Sequence, residues 1–584
     1  MASPDLVTTK VERTAIVYLP TWENQSHLQT VVGKASPTSA DLEECPQPVS
    51  RSNSRHYQAY LPFPTDVTDS EFDCLNLFII RPSAMALASR GLEKVTLPVL
   101  AWIHGGGFAF GAATNPMWEP SRFVLHSLDR GTPVIVVFIN YRLNVFGFGA
   151  STDLLQSQDP TSIRGVDFGF RDQKLALEWI SRNIAAFSGD PTRVTIGGQS
   201  AGAISVHTHL TESRSLNEIT VPRLFRRAIM QSGALGTLGP DLLLAADKKW
   251  AALSEQVGLT EAEGQTTPLE RVDLLRRVPA PDLLEAANMV YGEGFPSYFD
   301  GFTFSENSEE PDGRSVNLGF VHLAGNPESS PLPRVDVLMG VTDCEASVFL
   351  SAHVSWDTLH SVFEETYENA ELRKEIMQAY GFVESASKEE LQKALVTFLG
   401  DAMFEIPVHL ARVSFGSNQI DRVPQALSSV HSFHIEFGNP FPGPGEDIAH
   451  HCVELIYLFG GFHEALVAAD SGMRATYREP SETGRSANIS DQPAPATSYR
   501  RTNLELSRDI QAHWLDFIVT DQYGNPGDDG PDGRITVFGK DRTIEVKSLA
   551  DDPRWRTKRQ RWDIASKNLS ALLRFRKAIN SLTG

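Results

Sequence analysis

The segment Gly197-Gly198-Gln199-Ser200-Ala201-Gly202-Ala203 places a serine between two glycines directly after the apolar run Val194-Thr195-Ile196. Few backbone paths suit it. A sharp strand-to-helix turn does: it holds the serine in a strained conformation with Oγ exposed at a helix N-terminus, and side chains two residues to either side would clash. A plain glycine-rich turn carries the same pattern by chance, so the reading leans on a second motif upstream. His104-Gly105-Gly106-Gly107-Phe108 follows the strand-like run Val99-Leu100-Ala101-Trp102-Ile103. Glycines there leave backbone N–H groups free to converge on a substrate oxygen, the requirement of an oxyanion hole.

Further motifs flank these two. They are Asp73-Cys74-Leu75-Asn76-Leu77, Asn140-Tyr141-Arg142-Leu143-Asn144-Val145-Phe146-Gly147-Phe148, the stretch from Gly169-Phe170-Arg171-Asp172-Gln173 to Gly189-Asp190-Pro191, and Leu224-Phe225-Arg226-Arg227-Ala228-Ile229-Met230-Gln231-Ser232-Gly233. With them the chain resembles the type-B carboxylesterase and cholinesterase family of serine hydrolases, over roughly residues 45–460, and its style is similar to that of fungal members. The resemblance implies an α/β-hydrolase fold with a mostly parallel sheet, one large catalytic domain over residues 1–584, a small-molecule ester substrate, and neither cofactor nor metal. It implies Ser200 as nucleophile, the N–H groups of Gly106, Gly107 and Ala201 as oxyanion donors, and Gln199 and Ser232 beside the catalytic groups, while Ser232 also reads as a plain turn serine. It also pairs Cys45 with Cys74 in a disulfide, while Cys344 and Cys452 read as small buried residues.

In this fold the acid and the base follow the nucleophile in chain order. Gly340-Val341-Thr342-Asp343-Cys344-Glu345-Ala346-Ser347-Val348-Phe349 offers two carboxylates, and the family's spacing to Phe349 selects Glu345 over Asp343. Ala449-His450-His451-Cys452-Val453-Glu454 offers two histidines; the family places the base three residues before an acid and eight before a phenylalanine, so Glu454 and Phe459 select His451. His451 then takes the Ser200 proton in acylation and returns it to the leaving alkoxide, Glu345 holds its tautomer, and water hydrolyses the acyl-enzyme.

Charge excludes one class of partner. A net charge of −21 over 584 residues leaves no basic footprint for nucleic acid. Residues 1–10 lack the apolar core of a signal peptide, and no run approaches the roughly 18 apolar residues of a membrane span. A cytoplasmic location is therefore expected, with secretion left open for a mature form, and oligomeric state is not legible.

Apolar runs at residues 99–103, 133–139, 194–196 and 335–339 read as buried strands between helical patterns. One such helix, residues 172–187, has a face of Leu175 and Trp179 with Ala176, Ile180 and Ile184. Residues 470–500 read as a mobile surface insertion, 524–533 as an acidic loop, and the family's first motifs are not recognisable in residues 1–44. Residues 45–74 lack tryptophan and Gln199 replaces the glutamate of choline-binding members, so neutral, apolar esters or lactones are expected; Phe108, Phe110, Trp118 and Phe146 read either as pocket walls or as core packing near strand ends. Two alternatives stay open. The same acyl-enzyme would serve acyl transfer, or release or rearrangement of a natural product in secondary metabolism; a non-catalytic adhesion protein of the same fold is the other, and the intact Ser, Glu and His set speaks against it.

Overall fold

The computed structural model describes residues 11–17, 43–48, 68–161, 164–215, 224–259, 267–292, 294–304, 335–350, 352–416, 429–475, 489–493, 501–521, 523 and 533–583. Its frame is a ten-stranded sheet. The strands are β1 (Val11–Val17), β2 (Asn76–Pro82), β3 (Leu97–Ile103), β4 (Ile135–Ile139), β5 (Gly189–Gln199), β6 (Arg227–Gln231), β7 (Asp336–Thr342), β8 (Val430–Ile435), β9 (Arg534–Phe538) and β10 (Ile544–Ser548). They lie in the order β1-β2-β4-β3-β5-β6-β7-β8-β9-β10. From β4 through β9 every pairing is parallel; β1, β2 and β10 close the edges antiparallel. Parallel strands must be covered on both faces, and β3 and β4 are buried at every residue.

Alternation along β3 assigns its two faces. Val99, Ala101 and Ile103 join one core with Trp179 and Ile180 of α1 (Phe168–Asn183) and with α2 (Ala201–Ser215), while Leu100 and Trp102 join a second core with Trp514 of α3 (Asn503–Val519). The buried stripe of α1 differs from the expected one. The helix starts at Phe168 and buries Leu177, and Ile184 sits in the following 3₁₀ turn Ile184–Phe187, because the cores on its flank reach past the single face that periodicity marks.

Strand pairing sets the site. Ile103 pairs with Gly198, Gln199 with Gln231, and Gln231 with Gly340, so the C-terminal ends of β3, β5, β6 and β7 open onto one edge. That edge is where open parallel sheets bind ligands.

Other expectations fared differently. Strand β1 lies where no family motif was recognisable and adds directly to the main sheet. Of residues 470–500 the structure describes 470–475 and 489–493, which contain a two-stranded antiparallel ribbon; the remainder, with residues 524–532, lies outside the described residues. A helix from Lys388 to Phe415 is long and apolar enough to cross a membrane by composition, yet its apolar window is mostly buried within the protein. Cys45 and Cys74 stand as separate buried thiols rather than a bridge, with Cys45 Sγ turned to the Cys74 carbonyl oxygen at 3.9 Å. Burial foremost, and the neighbouring Cys74, push the Cys45 thiol well up, so it stays protonated and unreactive.

Candidate active site

Ser200 stands between β5 and α2 with φ +57°, a conformation non-glycine residues rarely adopt. Neighbouring backbone imposes it. The Ser200 N–H donates to Gln231 O at 2.8 Å, and the Ile204 N–H closes the first helical turn on Ser200 O at 3.0 Å. A Cβ at Gly198 would sit 2.4 Å from the Gly202 backbone, and one at Gly202 only 2.0 Å from Ile103 O. Both glycines are therefore steric necessities.

The upstream glycines form the facing loop. Gly106 and Gly107 have φ +116° and +60°, and a Cβ at Gly106 would lie 2.0 Å from Phe110 O. Their carbonyls accept from Ala109, Phe110 and Phe295, but among the described residues the N–H groups of Gly106, Gly107 and Ala201 find no acceptor. Three free donors thus lie in the loop and at the helix start beside the serine.

Glu345 and His451 meet. Glu345 follows β7 at the start of a 3₁₀ turn, and its Oε2 lies 2.5 Å from His451 Nδ1 while Oε1 accepts from Thr342 N–H at 2.7 Å. Both side chains are buried. Burial works against charge on the His451 ring, but Cys452 and Glu345 beside it favour the charge, and the net effect holds the ring well above the ordinary histidine range. Phe404 and Phe349 flank the ring at centroid distances of 4.6 and 5.3 Å.

The competing readings separate cleanly. Asp343 turns away, to His434 Nε2 at 3.2 Å and Lys558 Nζ at 3.0 Å. His450 is taken up by Asn439 and by the His451 carbonyl oxygen. Ser232 is buried behind the elbow with φ +50°, and its Oγ has no hydrogen-bond partner among the described residues.

One contact departs from expectation. His451 Nε2, the atom expected to face Ser200, lies 3.1 Å from Gln199 Nε2, and Ser200 Oγ has no hydrogen bond among the described residues. With the Nδ1 proton held toward Glu345, the Nε2 lone pair accepts from the buried Gln199 amide, whose position at the end of β5 points it at the ring. The Gln199→Glu variant is expected to raise the acid limb of the pH–rate profile by about one pH unit or more, because a carboxylate there favours imidazolium where the amide favours the neutral ring. Titrating kcat/KM of both forms checks it; coincident limbs would show that residue 199 does not sense the ring.

Behind the histidine lies a network the motifs did not reveal. Gln231 donates to Glu454 Oε1 at 2.9 Å and accepts from Trp514 Nε1 at 2.8 Å. Burial, then the charge of Glu345, pushes the Glu454 carboxyl up to about 7. In sequence Glu454 served only to mark the register of the histidine. The expected aromatic walls divide. Phe108 stacks on Phe148 at 4.3 Å within the core and Trp118 is buried against His104, because the positive φ of Phe108 turns its ring away from the loop; Phe110 and Phe146 remain half-buried.

Sheet order and elbow define an α/β-hydrolase. A sequence profile described as Carboxylesterase family matches residues 33–476, and the chain belongs to that family. It is 35% identical over 247 residues to "Inactive carboxylesterase-like protein VdtD" of Byssochlamys spectabilis, covering 41% of this chain and 37% of that protein. It is 32% identical to "Lipase 5" of Diutina rugosa, covering 51% and 48% respectively. The chain thus spans less than half the length of each of these curated relatives. Among solved structures it is similar to a PNB esterase with a TM-score of 0.64 and 22% identity, over 95% of this chain and 96% of that one, a likeness of fold.

Proposed function

We propose that the protein hydrolyses carboxylic esters through an acyl-enzyme on Ser200, with His451 as the base, Glu345 as its orienting acid, and Gly106, Gly107 and Ala201 as oxyanion donors. The observation that carries this is the 2.5 Å contact of Glu345 with His451 beside an elbow serine. A serine hydroxyl is a weak nucleophile until a base accepts its proton; His451 does so once the Gln199 amide yields Nε2 to Ser200. The tetrahedral oxyanion then meets donors that need no reorganisation, each typically worth about 2.7–4 kcal/mol. Protonation of the leaving alkoxide by His451 and attack of water complete the cycle.

Substrate preference follows from what flanks the base. An uncharged Gln199 and the rings of Phe349 and Phe404 favour neutral, apolar esters or lactones over cationic ones. Residues 1–584 act as one catalytic unit, since strands from Val11 to Ser548 join one sheet. The test is mass spectrometry of products from a panel of aryl, alkyl, lactone and choline esters, with and without alcohol acceptors. Hydrolysis of the neutral esters in preference to the choline esters is expected. New esters formed with the alcohols would favour acyl transfer instead, and inertness toward every ester together with failure of Ser200 to react with an organophosphonate would leave a non-catalytic role.

A further inference from the structure

The long helix beside the active site is broken in register. Between α-helical stretches Lys388–Gly400 and Ile406–Gly416 it passes through a π-helical turn, Asp401–Glu405, where the Ile406 N–H reaches back to Asp401 O. Pro407 follows at once and has no N–H to offer, which favours a local change of pitch. Single π turns weaken hydrogen-bond geometry and concentrate at functional sites.

The turn divides its side chains between two neighbours. Asp401 and Glu405, both buried, face the helix Pro553–Ala565: Arg561 Nε lies 3.2 Å from Asp401 and Lys558 Nζ 2.9 Å from Glu405, while Tyr380 OH donates to Asp401 at 2.9 Å. Phe404 instead packs on the His451 ring, with centroids 4.6 Å apart. Gly400, just before the turn, abuts the acid loop, with space for a Cβ ending 3.8 Å from Ala346 N and 4.0 Å from Glu345 Cβ. Lys558 also holds Asp343, two residues before Glu345, at 3.0 Å and His434 Nε2 at 3.3 Å, and lies over the Trp555 ring at 5.0 Å.

We propose that this π turn, pinned by Lys558 and Arg561, positions the base: it presses Phe404 against the His451 ring while Lys558 ties the same turn to the loop that carries Glu345. Lys558 and Phe404 are thus positioning residues for the reaction, an inference that rests on the hydrolase reading above. Buried ion pairs add little to stability over apolar replacements because desolvation offsets their attraction, so their use here is geometric. A base displaced by about 1 Å loses on the order of 100-fold in rate.

The test measures kcat and KM on a neutral aryl ester, together with the strongly deshielded Nδ1 proton of His451 by NMR, in Lys558→Met, Lys558→Arg and the double variant Lys558→Met/Glu405→Gln. The double variant removes the clamp without leaving Glu405 as an unpaired buried carboxylate, so it answers the question even where Lys558→Met does not fold. Lys558→Met and the double variant are expected to lose about 10- to 100-fold in kcat with KM changed less than about twofold, and to lose or shift the deshielded proton. Lys558→Arg should recover most of the rate. A folded double variant with wild-type kcat and an unmoved proton would overturn the proposal. Because the proton reports on the resting protein, a wild type inert toward esters would defeat the hydrolase reading while the proton comparison still decides the clamp.

Discussion

Ser200→Ala abolishes ester turnover while the protein stays folded. The expected loss is on the order of 10⁵–10⁶-fold in kcat, the scale seen when the nucleophile of a serine triad is removed and only the oxyanion donors remain. The fold should tolerate it, because the elbow is imposed by backbone contacts at Gly198, Gly202 and Gln231 rather than by the hydroxyl, and Ser200 Oγ makes no hydrogen bond among the described residues. Alanine at φ +57° is strained as the serine already is, so thermal stability should change little. Labelling with a fluorophosphonate followed by peptide mapping checks the assignment. A mutant that still reacts at another serine and keeps its turnover would refute it.

Glu345→Gln should cut turnover by roughly 10³–10⁴-fold, since an amide in place of the carboxylate leaves the imidazole without a charge partner and with its tautomer no longer set. His451→Ala should cost at least as much, whereas His450→Ala, whose ring is engaged by Asn439 away from the serine, should be mild. The pH profile carries the same logic. Only the neutral ring accepts the serine proton, so activity falls as pH drops through the pKa of the folded ring. Burial lowers that pKa, but Cys452 and Glu345 raise it further, so the acid limb should lie above the ordinary histidine value of about 6.5. In Glu345→Gln the limb should move down. The groups facing the ring are Glu345, Cys452, Gln199 and, through its field, Glu454, whose own titration near 7 makes a second inflection an expected feature. An unchanged limb and near-normal turnover in Glu345→Gln would remove Glu345 from the mechanism.

Some of this site was written in contiguous residues, and the reason is steric. Gly198, Gly202 and Gly106 occupy places where a Cβ would meet backbone at 2.0–2.4 Å, and such exclusion leaves a mark in the local sequence that needs no knowledge of distant contacts. The alternating strands and helices announced a parallel sheet for a similar reason, since burial on both faces demands unbroken apolar runs such as those of β3 and β4. The choice of Glu345 over Asp343 and of His451 over His450 came from family spacing, and in the structure those two side chains are the ones in contact.

What chain order leaves open is which groups from separate layers share a space. That His451 Nε2 faces Gln199 rather than Ser200 depends on residues 252 positions apart. Whether Phe108 walls the pocket or packs the core is open in sequence and settled by its backbone, which turns the ring into the core, and no periodicity marks Phe404, because a π turn breaks the very period that pattern reading assumes. Lys558 lies 153 residues from Glu405, in a helix rich in arginine and lysine. Only the packing of that helix against the broken one brings its charge beneath the acid loop, since a buried cation is stable solely where the fold has already gathered its carboxylates.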